Sequence, residues 1–137
     1  MCQKYNRYIT RGEDIIAYKI VYPGKGQFYT IYQHFPMKIG EEYFSGRNWP
    51  AVVGYPIDRG FFHSYKRLED AKRWLKGRLM YTPPGSHVPN YHIMKVLIPN
   101  TKWDDFVYAG EFDAEYCGMV QTYASTRIKL LEDVTNQ

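Results

Sequence analysis

Five consecutive residues, His63-Ser64-Tyr65-Lys66-Arg67, bring an imidazole, two hydroxyls and two cations to the entrance of a run with helical periodicity. Side chains of that kind at a helix start suit the capture of an anion. The first backbone N–H groups have no intrahelical acceptor, and nearby donors add to their pull, so a phosphate-bearing ligand fits. The same residues also meet a structural need, because the Ser64 hydroxyl is placed to cap a helix that faces solvent. Neither a Walker pattern nor G-x-G-x-x-G accompanies them; Gly24-Lys25-Gly26 has the chemistry of a hairpin turn.

Other reactive side chains are scattered. His34, His63, His87 and His92 show no H-x-x-x-H spacing and no cysteine at zinc-finger distance, which gives no basis for a metal site. His63 and His92 would meet only if their strands were neighbours. Cys117, beside Gly118 in a polar segment, lacks an adjacent base, and Cys2 becomes an N-terminal nucleophile only if Met1 is removed. One Cys2–Cys117 bridge is formally open to the chain. Lys4, Tyr5, Arg7, Tyr8 and Arg11 interleave cations with aromatic rings as nucleic-acid surfaces do, but no RNA-binding signature occurs.

The elements that must position these groups read as strands around one helix. Ile15 to Tyr22 is a strand, Pro23 to Gln27 a turn, and Phe28 to Tyr32 its hairpin partner. From His34 to Asp58, Pro36, Pro50 and Pro56 with Gly40, Gly46 and Gly54 predict short extended pieces and turns. Phe61 and Phe62 belong to a strand-like run. Leu68, Ala71, Trp74 and Leu75 then recur at helical spacing, giving a helix over about 65–76 with Gly77 as its left-handed stop. Glu69 precedes Lys72 and Arg73 by three and four residues, and Asp70 precedes Arg73 by three, so much of the cationic face is expected to be self-paired. Tyr81 to Asn90 is a proline-rich loop and candidate lid. Tyr91 to Ile98 is a buried strand, Phe106 to Phe112 another in which Gly110 allows a bulge or close approach, and 127–131 a last strand or short helix.

Composition bounds the class. A chain of 137 residues with 45% hydrophobic and 18% aromatic residues fits one domain with a packed core, which disfavours disorder. Fourteen tyrosines, each an apolar ring with a hydroxyl, suit half-exposed strands and wet interfaces. The net charge of +4, with a pI near 9.0, would ease the approach of a phosphate-bearing ligand but falls short of a nucleic-acid packager. The polar start of the chain and the lack of any long apolar window predict a cytoplasmic setting with reduced thiols and no membrane.

Met1-Cys2 with Asn6, Asp14 to Lys19, Gly60 to Tyr65, Asp70-Ala71, Ile98-Pro99, Tyr108-Ala109-Gly110 and Tyr123-Ala124-Ser125 before Ile128-Lys129 together resemble a family of small uncharacterised phage and bacterial proteins. That resemblance spans nearly the full chain and implies a mobile-element or phage accessory protein. A more distant similarity is to the ADP-ribosyltransferase fold, carried by Tyr18-Lys19, Gly60 to Ser64, Asp70-Ala71 and Ile93 to Ile98 in comparable order. It implies a nicotinamide-binding cleft in which Glu111 orients the ribose and stabilises a cationic transition state, while Ser64 and Tyr65 shape the walls. Lys19 stands where such enzymes place an Arg or His.

The fold expected is a single α+β domain, mostly antiparallel β-sheet with one main helix and long loops. The function expected is a non-enzymatic binding module in which His63, Ser64, Tyr65, Lys66, Arg67 and Lys19 hold a nucleotide-like ligand or a host protein partner. Countering a host defence is the role that would follow. The alternatives are an enzyme acting on a nicotinamide dinucleotide through Glu111, and a structural or protein-interaction domain that self-associates through a tyrosine-rich sheet. No metal or cofactor is expected, and nucleic acid is the weaker partner.

Overall fold

The computed structural model describes residues 5–31, 33–46 and 60–137, the side chains of Tyr5 and Asn6 excepted. Cys2, Lys4, the Tyr32 end of the expected hairpin and the Pro50 to Asp58 part of the irregular stretch lie outside them. Among the described residues no helix is long and apolar enough to cross a membrane.

The chain enters on β1 (Tyr5–Tyr8) and passes into the long strand β2 (Ile15–Gly24). Its alternating β-branched and aromatic residues bury Ala17, Lys19, Ile20 and Val21, so both faces of the strand are covered at its centre. The hairpin to β3 (Gln27–Thr30) forms as the turn chemistry requires. Gly24 pairs with Gln27, and the two residues between them, Lys25 and Gly26, have φ of 50° and 77°, the two positive angles of a type I′ turn. Two short strands, β4 (Pro36–Met37) and β5 (Glu42–Phe44), follow. Then come β6 (Phe62–Tyr65), α1 (Leu68–Met80), β7 (His92–Ile98), β8 (Val107–Ala114), β9 (Gly118–Ser125) and β10 (Arg127–Asp133).

All pairings are antiparallel, in the order β1-β8-β9-β6-β2-β7-β10-β5, with β3 also beside β2 and β4 beside β3. The sheet does not close, and α1 is the only helix among the described residues. The α+β architecture with a mostly antiparallel sheet is therefore as expected in outline. Residues 127–131 take the strand alternative. Gly110 sits in regular register between Asn6 and Thr122, and the register shift falls instead in β10, between Leu130 and Glu132.

The helix boundaries differ from the sequence expectation of 65–76. Ser64 and Tyr65 remain strand because they pair with Tyr123 and Thr122 of β9, and Lys66 N–H extends that ladder to Gln121 O at 3.1 Å. Continuous sheet hydrogen bonds outweigh one side-chain cap. Arg67 is the N-cap and its side chain makes no capping bond. Gly77 is no stop either: the helix runs on to Met80, and the face of Gly77 lies directly under Tyr116 of the β8–β9 turn.

Two packed layers result. On one face, α1 sets Ala71 and Trp74 against Ile20, Tyr65, Ile93 and Val120. On the other, Ala17, Val21, Phe62, Met94, Val96, Ile128 and Leu130 form a second core with Met37. Phe35 touches Phe62 at 5.3 Å and Tyr43 at 5.7 Å between ring centroids. Phe62 is on β6 and Tyr43 on β5, four strand spacings apart, about 19 Å on a flat sheet. One ring can bridge them only because the sheet curls around this second core.

Candidate functional site

On the face opposite α1, register lays polar residues in rows across β1, β8, β9 and β6. Arg7 pairs with Ala109, Ala109 with Tyr123, and Tyr123 with Ser64. Continuing the Tyr18–Tyr65 pairing by one residue sets Lys19 opposite Ser64. The next row carries Glu111 opposite Gln121, with Lys66 following through its backbone bond to Gln121. Arg7, Lys66, Ala109, Gly110, Glu111, Gln121 and Thr122 enclose an open groove of about 390 Å³. Its floor is low because Ala109 and Gly110 raise almost no side chain between the longer residues around them. The volume lies in the range of small-ligand sites.

A cation stands at either end of the groove. Arg7 on β1 and Lys66 just beyond β6 are three strand spacings apart, about 14 Å, with the Glu111 carboxylate and the Gln121 amide between them. Burial pushes the Tyr123 hydroxyl above its ordinary pKa, while the Arg7 cation pulls it back toward ionisation. Register sets Arg7 and Tyr123 on either side of Ala109. Deeper in the same face, Lys19 is 8% exposed, donates from Nζ to His63 O at 2.6 Å, and is drawn down to a pKa of about 8 by burial. Ser64 Oγ and Ser125 Oγ are buried there with no hydrogen-bond partner among the described residues.

The expected site is thus partly assembled and partly dispersed. Lys66 and Glu111 line the groove; Lys19 and Ser64 lie one row away, beneath the same face. His63 and Tyr65 alternate to the opposite face, where Tyr65 is packed with the helix and His63 is buried. Arg67 is exposed at the helix start and lines no part of the groove. His63 does not meet His92: β2 separates their strands, and His92 lies on the other face, bonded through Nδ1 to Asp133 at 2.6 Å. Cys117 is a free thiol in the β8–β9 turn, its pKa raised by burial. Among the described residues no three of His, Cys, Asp and Glu gather as metal ligands would.

Sequence reading missed Gln121, Tyr123 and the Ala109-Gly110 floor as site residues, because it assigned no strand between Phe112 and residue 127. The alternation of Val120, Thr122 and Ala124 inward with Gln121 outward was the available signal. Arg7 was visible only within a basic-aromatic segment. No family model, curated protein or solved structure matches the chain.

Proposed function

We propose that the protein is a binding module for a nucleotide-like ligand, held in the groove across β1, β8, β9 and β6. Arg7 and Lys66 take phosphate oxygens, Glu111 accepts from ribose hydroxyls, and the Tyr123 ring offers an apolar edge to the base. The observation that carries this reading is the convergence of two cations, one carboxylate and one amide around a floor of Ala109 and Gly110. The resemblance to phage and bacterial accessory proteins supports a role in withholding such a ligand from a host response. Calorimetry against nucleoside mono-, di- and triphosphates, dinucleotides and cyclic nucleotides tests it. Binding is expected for at least one class and should weaken about tenfold or more in Lys66→Ala, in line with loss of one charge-assisted hydrogen bond. Absence of heat across the panel would overturn it.

A second reading is favoured by the exposure of Glu111 in that groove: an ADP-ribosyltransferase-like enzyme in which Glu111 stabilises a cationic ribosyl transition state. It requires release of nicotinamide from a nicotinamide dinucleotide, abolished in Glu111→Gln with folding intact. Release at background over long incubation would remove this reading and leave the binding module standing.

A further inference from the structure

The groove leaves three buried polar side chains of its own sheet face unused. Lys19, Ser64 and Ser125 are 8%, 1% and 0% exposed, and none of them lines it. Register puts them side by side. Lys19 stands opposite Ser64 where the Tyr18–Tyr65 pairing is continued by one residue, and Ser125 of β9 lies two residues on from Tyr123, the partner of Ser64. Phe62, opposite Ser125, and Tyr123 fill the remaining corners of that β6–β9 patch, and both rings pack into the core on this face.

The direction of Lys19 is fixed by its one bond. Among the described residues the β2–β6 ladder has a single pairing, Tyr18 with Tyr65, and beyond it Lys19 Nζ supplies the donor for His63 O. That carbonyl adjoins Ser64 through one peptide bond, so the amine is held on the Ser64 side of β6.

The electrostatics of the patch are incomplete. Among the described residues no carboxylate pairs with Lys19, and Ser64 Oγ and Ser125 Oγ have no hydrogen-bond partner. A buried ammonium with only a neutral acceptor costs stability, and each buried hydroxyl without a bond adds to that cost. One anion accepting from Nζ and from both hydroxyls satisfies the three donors and cancels the charge. Stoichiometry selects its class. A single negative charge balances one ammonium, and a spherical ion accepts from three donors without further demand, whereas a phosphate dianion would bury excess charge and surplus oxygens.

We propose that Lys19, Ser64 and Ser125 form a buried site for a monovalent anion of chloride size, separate from the groove. The ion ties β2 to β6 and β9 where the backbone ladder between β2 and β6 is shortest.

Chloride itself is the probe, replaced by gluconate at constant ionic strength. The melting temperature is expected to rise by about 3 °C or more once chloride exceeds its dissociation constant tenfold. Chlorine NMR reads binding directly: the protein should broaden the chloride line, and added bromide should reverse the broadening. Lys19→Met should remove both effects, and Ser64→Ala with Ser125→Ala should weaken chloride by about tenfold or more, as expected for two lost hydrogen bonds to a charged acceptor. Far-UV circular dichroism checks that both variants keep the fold. The wild-type protein is decisive by itself, since absence of bromide-reversible broadening overturns the proposal. Unchanged broadening in Lys19→Met or in the double serine variant overturns it as well, and broadening lost in Lys66→Ala would place the ion in the groove instead.

Discussion

Lys19 carries a titratable amine into the sheet, where among the described residues it donates one hydrogen bond, to His63 O. Burial lowers its pKa from 10.5 to about 8, so between those values the unfolded chain holds a proton that the folded chain has released. Folding stability from this group therefore rises with pH across that window and is lowest below it, where a charged amine is buried. Lys19→Met is expected to stabilise the protein at pH 7 by on the order of 2 kcal/mol, with the gain shrinking toward pH 10. Denaturant unfolding of both proteins at several pH values measures it; a gain that does not change with pH would count against the burial account. At this scale the sequence was informative about residue types but blind to direction. Lys66 and Glu111 fell within the groove, yet His63 and Tyr65, neighbours of Lys66 in sequence, turn to the other face because a strand sends alternate side chains to opposite sides.

The element that the sequence located best, α1, is also the one whose ends it misjudged. Leu68, Ala71, Trp74 and Leu75 do form the inward stripe, but the start is displaced by the β6–β9 ladder and the end by the packing of Tyr116 on Gly77. Each displacement gives a test. Arg67 at the N-cap makes no side-chain capping bond, so Arg67→Asp should stabilise the fold by about 1 kcal/mol through a new acceptor for the first N–H groups. A fall in melting temperature would contradict that helix start. Replacing a helix-interior glycine with alanine ordinarily adds up to about 1 kcal/mol. At Gly77 the added Cβ would run into Cβ and Cγ of Tyr116, so Gly77→Ala is expected to destabilise by roughly 1–3 kcal/mol, read from the denaturation midpoint. The strands missed, β1 and β9, are those whose neighbours are distant or adjoin a turn. Tyr5–Tyr8 is strand only because Val107–Ala114 offers it an edge about a hundred residues later, a contact no local window contains. The hairpin at Lys25-Gly26 was legible because its cause is two residues long.

On the scale of the whole molecule, one curled sheet keeps α1 on one face and a second core on the other, and leaves the groove where small residues interrupt the polar rows opposite α1. Strand order could not be read from the chain, since it depends on which distant edges pair, and the groove is a product of that order. Arg7, Glu111, Gln121 and Lys66 come from four strands or strand ends and acquire a shared function only through register. The measurement closest to the central claim is backbone-amide NMR during titration with the tightest nucleotide of the panel. Chemical-shift changes are expected to concentrate at Arg7, Ala109 to Glu111, Gln121 and Lys66, leaving Ala71 and Trp74 of α1 unmoved. Changes centred on the helix-covered face, or none at saturating nucleotide, would contradict it.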